Sequence, residues 1–169
     1  MKKLFIIIYL KIIRKITSPI FYLISRIKYG KLPDKWESVK NLSMEKFSEM
    51  LLSYPYKSDP FFGAIDYSLI NPNYFFIEKD YGRDCDDFAR MWWLWAIHNK
   101  KTPVYEVVIV ERTKITSAHV ITIIKESENK YLLFDYKPVG VFSSIEECAK
   151  NNIVGIKDPM IFIYKKKLK

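Results

Sequence analysis

The sequence predicts an α+β fold in which one apolar helix packs on an antiparallel β-sheet, with further helices at the N-terminus. Helical periodicity dominates up to residue 100, and strand periodicity replaces it after Pro103. The turn sequence SENK then joins two strands into a predicted antiparallel hairpin. The stretch GRDCDDFARMWWLWA, residues 82–96, is apolar nearly all round, so its helix should be buried between layers.

Composition places most of the chain in one domain with a substantial core, because 49% of the 169 residues are apolar and 16% are aromatic. We divide the sequence into a basic helical segment, residues 1–31, and a domain, residues 32–169. The two cysteines, Cys85 and Cys148, are too few for a disulfide framework and do not form a metal-binding pair. They therefore give no information about the redox compartment.

Charge is concentrated at the two ends of the chain. The net charge is +9, and residues 1–31 hold eight lysines or arginines and no acid. Four more lysines lie within residues 165–169, which leaves sixteen bases against nineteen acids in the body between. This distribution argues against a nucleic-acid groove across the domain and favours termini that meet an anionic surface.

The N-terminal segment is predicted to form two helices that meet at Ser18 and Pro19, an N-cap and first-turn pair. Its longest uncharged apolar run, residues 4–10, is too short to span a bilayer, and no small-residue cleavage site follows it. Two interpretations stay open, a basic amphipathic anchor on a membrane surface or a helix pair packed on the domain. A cytoplasmic or membrane-associated protein is therefore favoured over an exported one.

A helix is predicted over residues 34–53, with Ser43 as an N-cap within it. A long irregular passage with three prolines and many aromatic residues, Tyr54 to Asp80, follows it. Such a loop before a candidate nucleophile suits the wall of a cleft. Aromatic packing over the next helix is the alternative.

The next helix begins with a cysteine among acids. Asp84 is predicted to be its N-cap, which puts Cys85 at the first helical position, where the helix dipole lowers a thiol pKa. The pKa of this thiol is raised by the carboxylates of Asp84, Asp86 and Asp87. An activated thiol here therefore needs a cation nearby, either an imidazolium or a metal. Alternatively, Cys85 is a small core residue and the acids are ordinary caps.

Only one of the two histidines suits this thiol. His98 lies thirteen residues along the same helix, about 20 Å away, and is better placed to interact with the helix C-terminus. His119 is therefore the candidate base, and Asp135 is the carboxylate that could orient it.

Four strands are predicted after Pro103, and the second and third carry His119 and Asp135. If Ser127 is the centre of a three-residue turn, His119 lies directly opposite Asp135. A five-residue loop would place them diagonally on one face, whereas an even-numbered loop would separate them. A buried Asp135 needs a partner in either case, and a backbone amide is the alternative to His119. The strands are residues 104–111, 118–125, 131–136 and 160–164. Ser143 or Ser144 is expected to cap a short helix through Cys148, a packed cysteine.

The order and spacing of these residues resemble a known family. A helix-starting cysteine within GRDCDDFA, a histidine 34 residues later and an aspartate 16 beyond it are similar to the bacterial transglutaminase-like cysteine proteinases. These are relatives of the transglutaminase core and, more distantly, of papain. The upstream DPFFGAIDY, with Asp66 and Tyr67, also resembles their pattern, and the match covers about half the chain.

This resemblance implies a papain/transglutaminase-like core with Cys85 as nucleophile, His119 as base and Asp135 as its orienting residue. Periplasmic members bind calcium through acids beside the cysteine, which would correspond to Asp84 and Asp86, although no cofactor is required for the chemistry. Those members are exported, and this N-terminus is a poor signal peptide. Cell-wall endopeptidases with a D-C-S-G motif fit less well, because acids replace the Ser-Gly pair and an aspartate replaces their second histidine.

The implied activity is a cysteine peptidase or amidase acting on a protein or peptide through a thioester. The Cys85 N–H would be one oxyanion donor, and Tyr67 or Asn71 the second. If an amine replaces water, the outcome is transglutaminase-type acyl transfer. A noncatalytic module that binds a membrane or an acidic partner, and a structural domain with Cys85 in its core, are the other hypotheses.

Overall fold

The computed structural model describes residues 27, 31–57, 71–77, 83–114 and 118–167, and it confirms an α+β fold. Five strands form one antiparallel sheet, and helices precede and interrupt them. The predicted N-terminal helices lie outside the described residues, apart from one helical residue, Ile27. The helices are α1 (Trp36–Val39), α2 (Met44–Leu52), a short 3-10 helix (Pro72–Phe76), α3 (Cys85–Asn99) and α4 (Ile145–Lys150). The strands are β1 (Val104–Glu111), β2 (Ala118–Ser127), β3 (Lys130–Asp135), β4 (Lys137–Phe142) and β5 (Pro159–Lys167).

The sheet has the strand order β4-β3-β2-β1-β5, with every neighbouring pair antiparallel. The predicted strands are all present, and β4 is the one that the sequence did not reveal. Pro138 and Gly140 interrupt its pattern, and β4 tolerates them because it is an edge strand. No helix among the described residues is long and apolar enough to cross a membrane.

The helix predicted over residues 34–53 is two helices instead of one. Ser43 ends the break between α1 and α2, and its hydroxyl oxygen accepts a hydrogen bond from the Lys46 N–H at 3.3 Å. This side chain satisfies an amide that has no partner within α2, so the chain restarts a helix at this point.

Two hydrophobic layers cover the two faces of the sheet. Helix α3 packs on one face with α2 and the 3-10 helix, and the fully buried Trp92 lies against Phe134 of β3, with ring centroids 4.6 Å apart. Helix α4 packs on the opposite face, where Cys148 contacts Ile121 and Ile123 of β2 among others. Alternation along β2 therefore directs odd-numbered side chains toward α4 and even-numbered ones toward α3.

The hairpin between β2 and β3 combines an even-numbered turn with a bulge. Ser127 pairs with Lys130 across a two-residue turn, and that register alone would place Asp135 opposite Thr122, on the face away from His119. The register shifts by one residue between Ser127 and Lys125, so that Lys125 pairs with Tyr131. The bulge at Glu126 thus restores the diagonal arrangement that a five-residue loop would give, with His119 and Asp135 on one face.

Strands β2 and β3 part at the end that carries these two residues. The last pair of their ladder is Thr122 with Phe134, and residues 118–121 of β2 are paired with β1 alone among the described strands. Asp135 instead pairs with Lys137 of β4. The fold therefore opens the sheet beside His119.

Candidate functional site

The N-terminus of α3 has the predicted cap. The Asp84 carboxylate accepts a hydrogen bond from the Asp86 N–H at 3.3 Å, and the Asp87 carboxylate accepts one from the Asp84 N–H at 3.2 Å. This capping box fixes the start of the helix, so Cys85 occupies its first position. The Cys85 side chain is partly exposed.

The Cys85 thiol lies against the main chain of β2. The Val120 N–H is close enough to lower the pKa of this thiol, and Cys85 packs against a cluster that includes Ala89, Val108 and Val120. Burial raises the pKa of Cys85 well above its usual value, and the charges of Asp86 and Asp84 raise it further. The thiol is consequently protonated at neutral pH, and a proton acceptor is required before it can attack a substrate.

His119 and Asp135 form a buried pair. The His119 Nε2 lies 2.6 Å from the Asp135 Oδ1, and the two side chains are only 4% and 1% exposed. An ionised carboxylate can only accept, so Nε2 carries the proton of this hydrogen bond. The Nδ1 atom is then the ring nitrogen that remains for another group.

The thiol and the His119–Asp135 pair both lie near the end of β2 that is not paired with β3. His119 precedes Val120, and their side chains point to opposite faces of β2. Cys85 packs with Val120 on the face that α3 covers, and the ring of Tyr136, which contacts both His119 and Phe88 of α3, lies between the two. The charge of Asp135 is close enough to contribute to the raised pKa of Cys85.

Sequence reasoning missed Tyr136 as a member of this site. Its ring centroid lies 5.6 Å from that of His119, 5.2 Å from that of Phe88 in α3 and 5.5 Å from that of Tyr56. Burial raises the pKa of Tyr136, with further contributions from Cys85 and Tyr56, so its hydroxyl stays protonated. Tyr136 directly follows Asp135 in the sequence, and this adjacency was the signal that could have identified it.

The backbone at Tyr136 is also unusual, with a φ of 58°. This left-handed conformation is uncommon for a residue with a bulky side chain, and such residues cluster at functional sites. It follows the last residue of β3 and allows the chain to turn into β4 at once. The Tyr136 carbonyl accepts a hydrogen bond from Trp92 Nε1 at 3.1 Å, which ties this turn to α3.

The two residues predicted as second oxyanion donors have different outcomes. Tyr67 lies outside the described residues. Asn71 caps the 3-10 helix, and its side-chain oxygen accepts a hydrogen bond from the Asn73 N–H at 2.9 Å. Its role as an oxyanion donor stays a prediction.

The residues predicted to hold calcium lie together beside the thiol. One ligand atom each from Asp84, Cys85 and Asp86 lies within 4.8 Å of the others. Carboxylate oxygens suit a hard cation such as calcium, whereas a thiol does not. The donor set therefore fits calcium through Asp84 and Asp86 only.

Comparisons with known proteins give a distant match in structure. No protein-family model matches the sequence, and no curated protein matches it. Among solved structures, the chain is similar to "Legionella pneumophila LapG (EGTA-treated)", with 18% sequence identity, a TM-score of 0.49 and 86% of each chain covered. A similarity of this size carries no conclusion about activity, so the chemistry has to be argued from the residues of this chain.

Proposed function

We propose that this protein is a cysteine hydrolase with a papain/transglutaminase-like core that cleaves a peptide or isopeptide amide bond. Cys85 is the nucleophile, His119 the general base and Asp135 the residue that orients the imidazole. The observation that carries the proposal is the buried 2.6 Å hydrogen bond from His119 to Asp135, one residue along β2 from Val120, a member of the cluster against which Cys85 packs.

The reaction begins with proton transfer. As the substrate carbonyl approaches, His119 Nδ1 accepts the thiol proton and the sulfur attacks the carbonyl carbon. The tetrahedral intermediate collapses when the C–N bond breaks and the imidazolium gives its proton to the leaving amine. A water molecule, deprotonated by His119, then hydrolyses the thioester to a carboxylic acid and the free thiol. The raised pKa of Cys85 fits a thiol that is protonated at rest and gives its proton to a base as it attacks.

Stabilisation of the oxyanion requires at least two donors. The Cys85 N–H, at the start of α3, has no partner within its own helix and supplies one. Tyr67 and Asn71 are the donors predicted from the sequence. The Tyr136 hydroxyl is a third candidate, because the ring of Tyr136 lies beside His119 and its raised pKa keeps the proton on it.

Calcium is the metal that this site suits. Asp84 and Asp86 would hold it, and a bound divalent cation would supply positive charge that offsets the two carboxylates and lowers the pKa of Cys85. Bound calcium would also stabilise the folded chain by mass action. We therefore expect added calcium to raise the melting temperature, and an unchanged melting temperature in calcium and in chelator would exclude this cofactor.

Thiol labelling tests the proposed triad without knowledge of the substrate. Iodoacetamide should label Cys85 in the folded protein well before Cys148, which is fully buried and serves as an internal control. His119→Ala should slow the labelling of Cys85 by about tenfold or more at neutral pH, because the proton acceptor is lost. The labelling of Cys148 should not change.

An activity assay then separates the alternatives. Cys85→Ala should abolish release of an amine from peptide substrates, and incorporation of an added amine in place of water would indicate transamidation. If Cys85 and Cys148 react alike and slowly, and His119→Ala changes neither rate, the hydrolase proposal is wrong. A noncatalytic binding module would then be the better interpretation.

A further inference from the structure

A tight turn follows α4 and is built around one buried side chain. The turn comprises residues 152–156, and its Asn152 is only 7% exposed. The Asn152 amide nitrogen donates hydrogen bonds to the carbonyls of Ala149 at 2.8 Å and Ile156 at 3.1 Å. Its oxygen accepts one from the Ile156 N–H at 2.9 Å. One side chain thus closes the whole turn onto the end of α4.

This turn contacts the candidate site through a main-chain group. The Ile153 N–H donates a hydrogen bond to Asp135 Oδ2 at 3.0 Å, while Asp135 Oδ1 accepts from His119. The two oxygens of one carboxylate are therefore held in different directions. A carboxylate fixed at both oxygens cannot rotate away from the imidazole.

We propose that Asn152 is a positioning residue for the catalytic pair. It holds the turn so that the Ile153 N–H fixes Asp135, and Asp135 in turn fixes the plane of the His119 ring. The inference deepens the proposed function and rests on it, since orientation of the ring matters only if His119 accepts a proton. Loss of such an indirect constraint lowers the efficiency of a site without removing any reacting group.

The neighbouring Asn151 provides a matched control. Its side chain also makes a cap, with Nδ2 donating to the Glu147 carbonyl at 2.9 Å, but Asn151 is exposed. The two asparagines therefore share a residue type and a helix end. Only Asn152 shapes the turn that reaches Asp135.

The experiment compares Asn152→Ala with Asn151→Ala in the full chain. Two quantities are measured, the rate at which iodoacetamide labels Cys85 and the proton resonance of His119 Nε2–H by NMR. We expect Asn152→Ala to slow labelling by about tenfold and to shift or broaden the resonance, because the ring is no longer held in one orientation. Asn151→Ala should leave both within about twofold of the wild type.

Gly155 offers a milder change in the same turn. Its φ is 72°, and a Cβ added there would meet no atom within 4 Å, so Gly155→Ala strains the backbone without a clash. Asparagine tolerates this left-handed conformation better than alanine does. We therefore expect Gly155→Ala to slow Cys85 labelling and Gly155→Asn to restore it. This pair replaces Asn152→Ala if that variant does not fold.

The outcomes separate this inference from the proposed function. If His119→Ala slows the labelling of Cys85 while the Asn152 and Gly155 variants leave both the rate and the resonance unchanged, the inference is wrong and the proposed triad stands. If His119→Ala leaves labelling unchanged, both are wrong. Parallel changes in the rate and the resonance, absent in Asn151→Ala, would support the inference.

Discussion

At the scale of single residues, burial controls both thiols of this protein. Cys148 is fully buried within α4, and burial, with a smaller contribution from Glu147, raises its pKa to about 12. The pKa of Cys85 is raised by burial and by Asp86 and Asp84. Neither environment makes a reactive thiolate by itself. In the proposed triad His119 accepts the proton of Cys85, whereas Cys148 is an ordinary packed cysteine.

The raised pKa of Cys148 predicts how stability depends on pH. In the unfolded chain the thiol loses its proton near its ordinary pKa of 9.0, but in the folded protein it keeps the proton up to about 12. Its contribution to stability is therefore complete below about pH 9 and is lost as the pH rises toward 12. The free energy of unfolding, measured in urea at about pH 8 and at about pH 11, should fall between these two pH values by less in Cys148→Ala than in the wild type. Equal losses in the two proteins would contradict the burial argument.

At the scale of elements, the start of α3 combines two effects of one side chain. Asp84 caps the helix, which stabilises the fold, and its charge raises the pKa of Cys85. Serine can replace the cap but not the charge. The two effects can therefore be separated by substitution.

We expect Asp84→Ala to lower the free energy of unfolding by about 1 kcal/mol and Asp84→Ser by only a few tenths. Both variants should speed iodoacetamide labelling of Cys85 by the same factor, because each removes the same charge. Ser144→Ala, which removes the corresponding cap of α4, serves as a control: it should cost stability without changing the labelling of Cys85. If the labelling rate of Cys85 changes with the stability of the variant and not with the charge at residue 84, the two effects of Asp84 are not separable in this way.

The elements that were predicted best are those specified by local signals. The Asp84 cap, the apolar character of α3 and the apolar run of β1 are all visible in short windows of sequence. The register between His119 and Asp135 was not, because three turn lengths fitted the sequence and the bulge at Glu126 depends on tertiary packing. The contact of Ile153 with Asp135 had no signal at all, since a main-chain N–H carries no residue identity.

At the scale of the whole molecule, basic residues are concentrated at the start of the chain. Residues 1–31 hold eight of the 28 lysines and arginines and no acid. We propose that this segment attaches the domain to an anionic surface, most simply a membrane containing acidic lipids. The division into residues 1–31 and 32–169 is a part of this proposal.

Sedimentation with liposomes tests the attachment. The full chain should bind vesicles containing phosphatidylserine and bind weakly to neutral vesicles, with binding that falls as salt rises, because basic side chains near the surface each contribute about 1 kcal/mol. A chain starting at residue 32 should lose most of this binding while its melting temperature is retained. Equal binding to neutral and anionic vesicles would remove the electrostatic argument. A large drop in melting temperature on truncation would instead indicate a helix pair packed on the domain.

The bulged hairpin between β2 and β3 has a consequence for how this protein can change in length. An odd number of residues added at Glu128–Asn129 would invert the side of the sheet on which Asp135 emerges, whereas an even number would preserve it. The hairpin tip is far from the His119 imidazole along both strands. We nevertheless expect the site to tolerate insertions of an even number of residues there better than insertions of an odd number. Two variants whose insertions differ in length by one residue should therefore differ in the rate at which iodoacetamide labels Cys85.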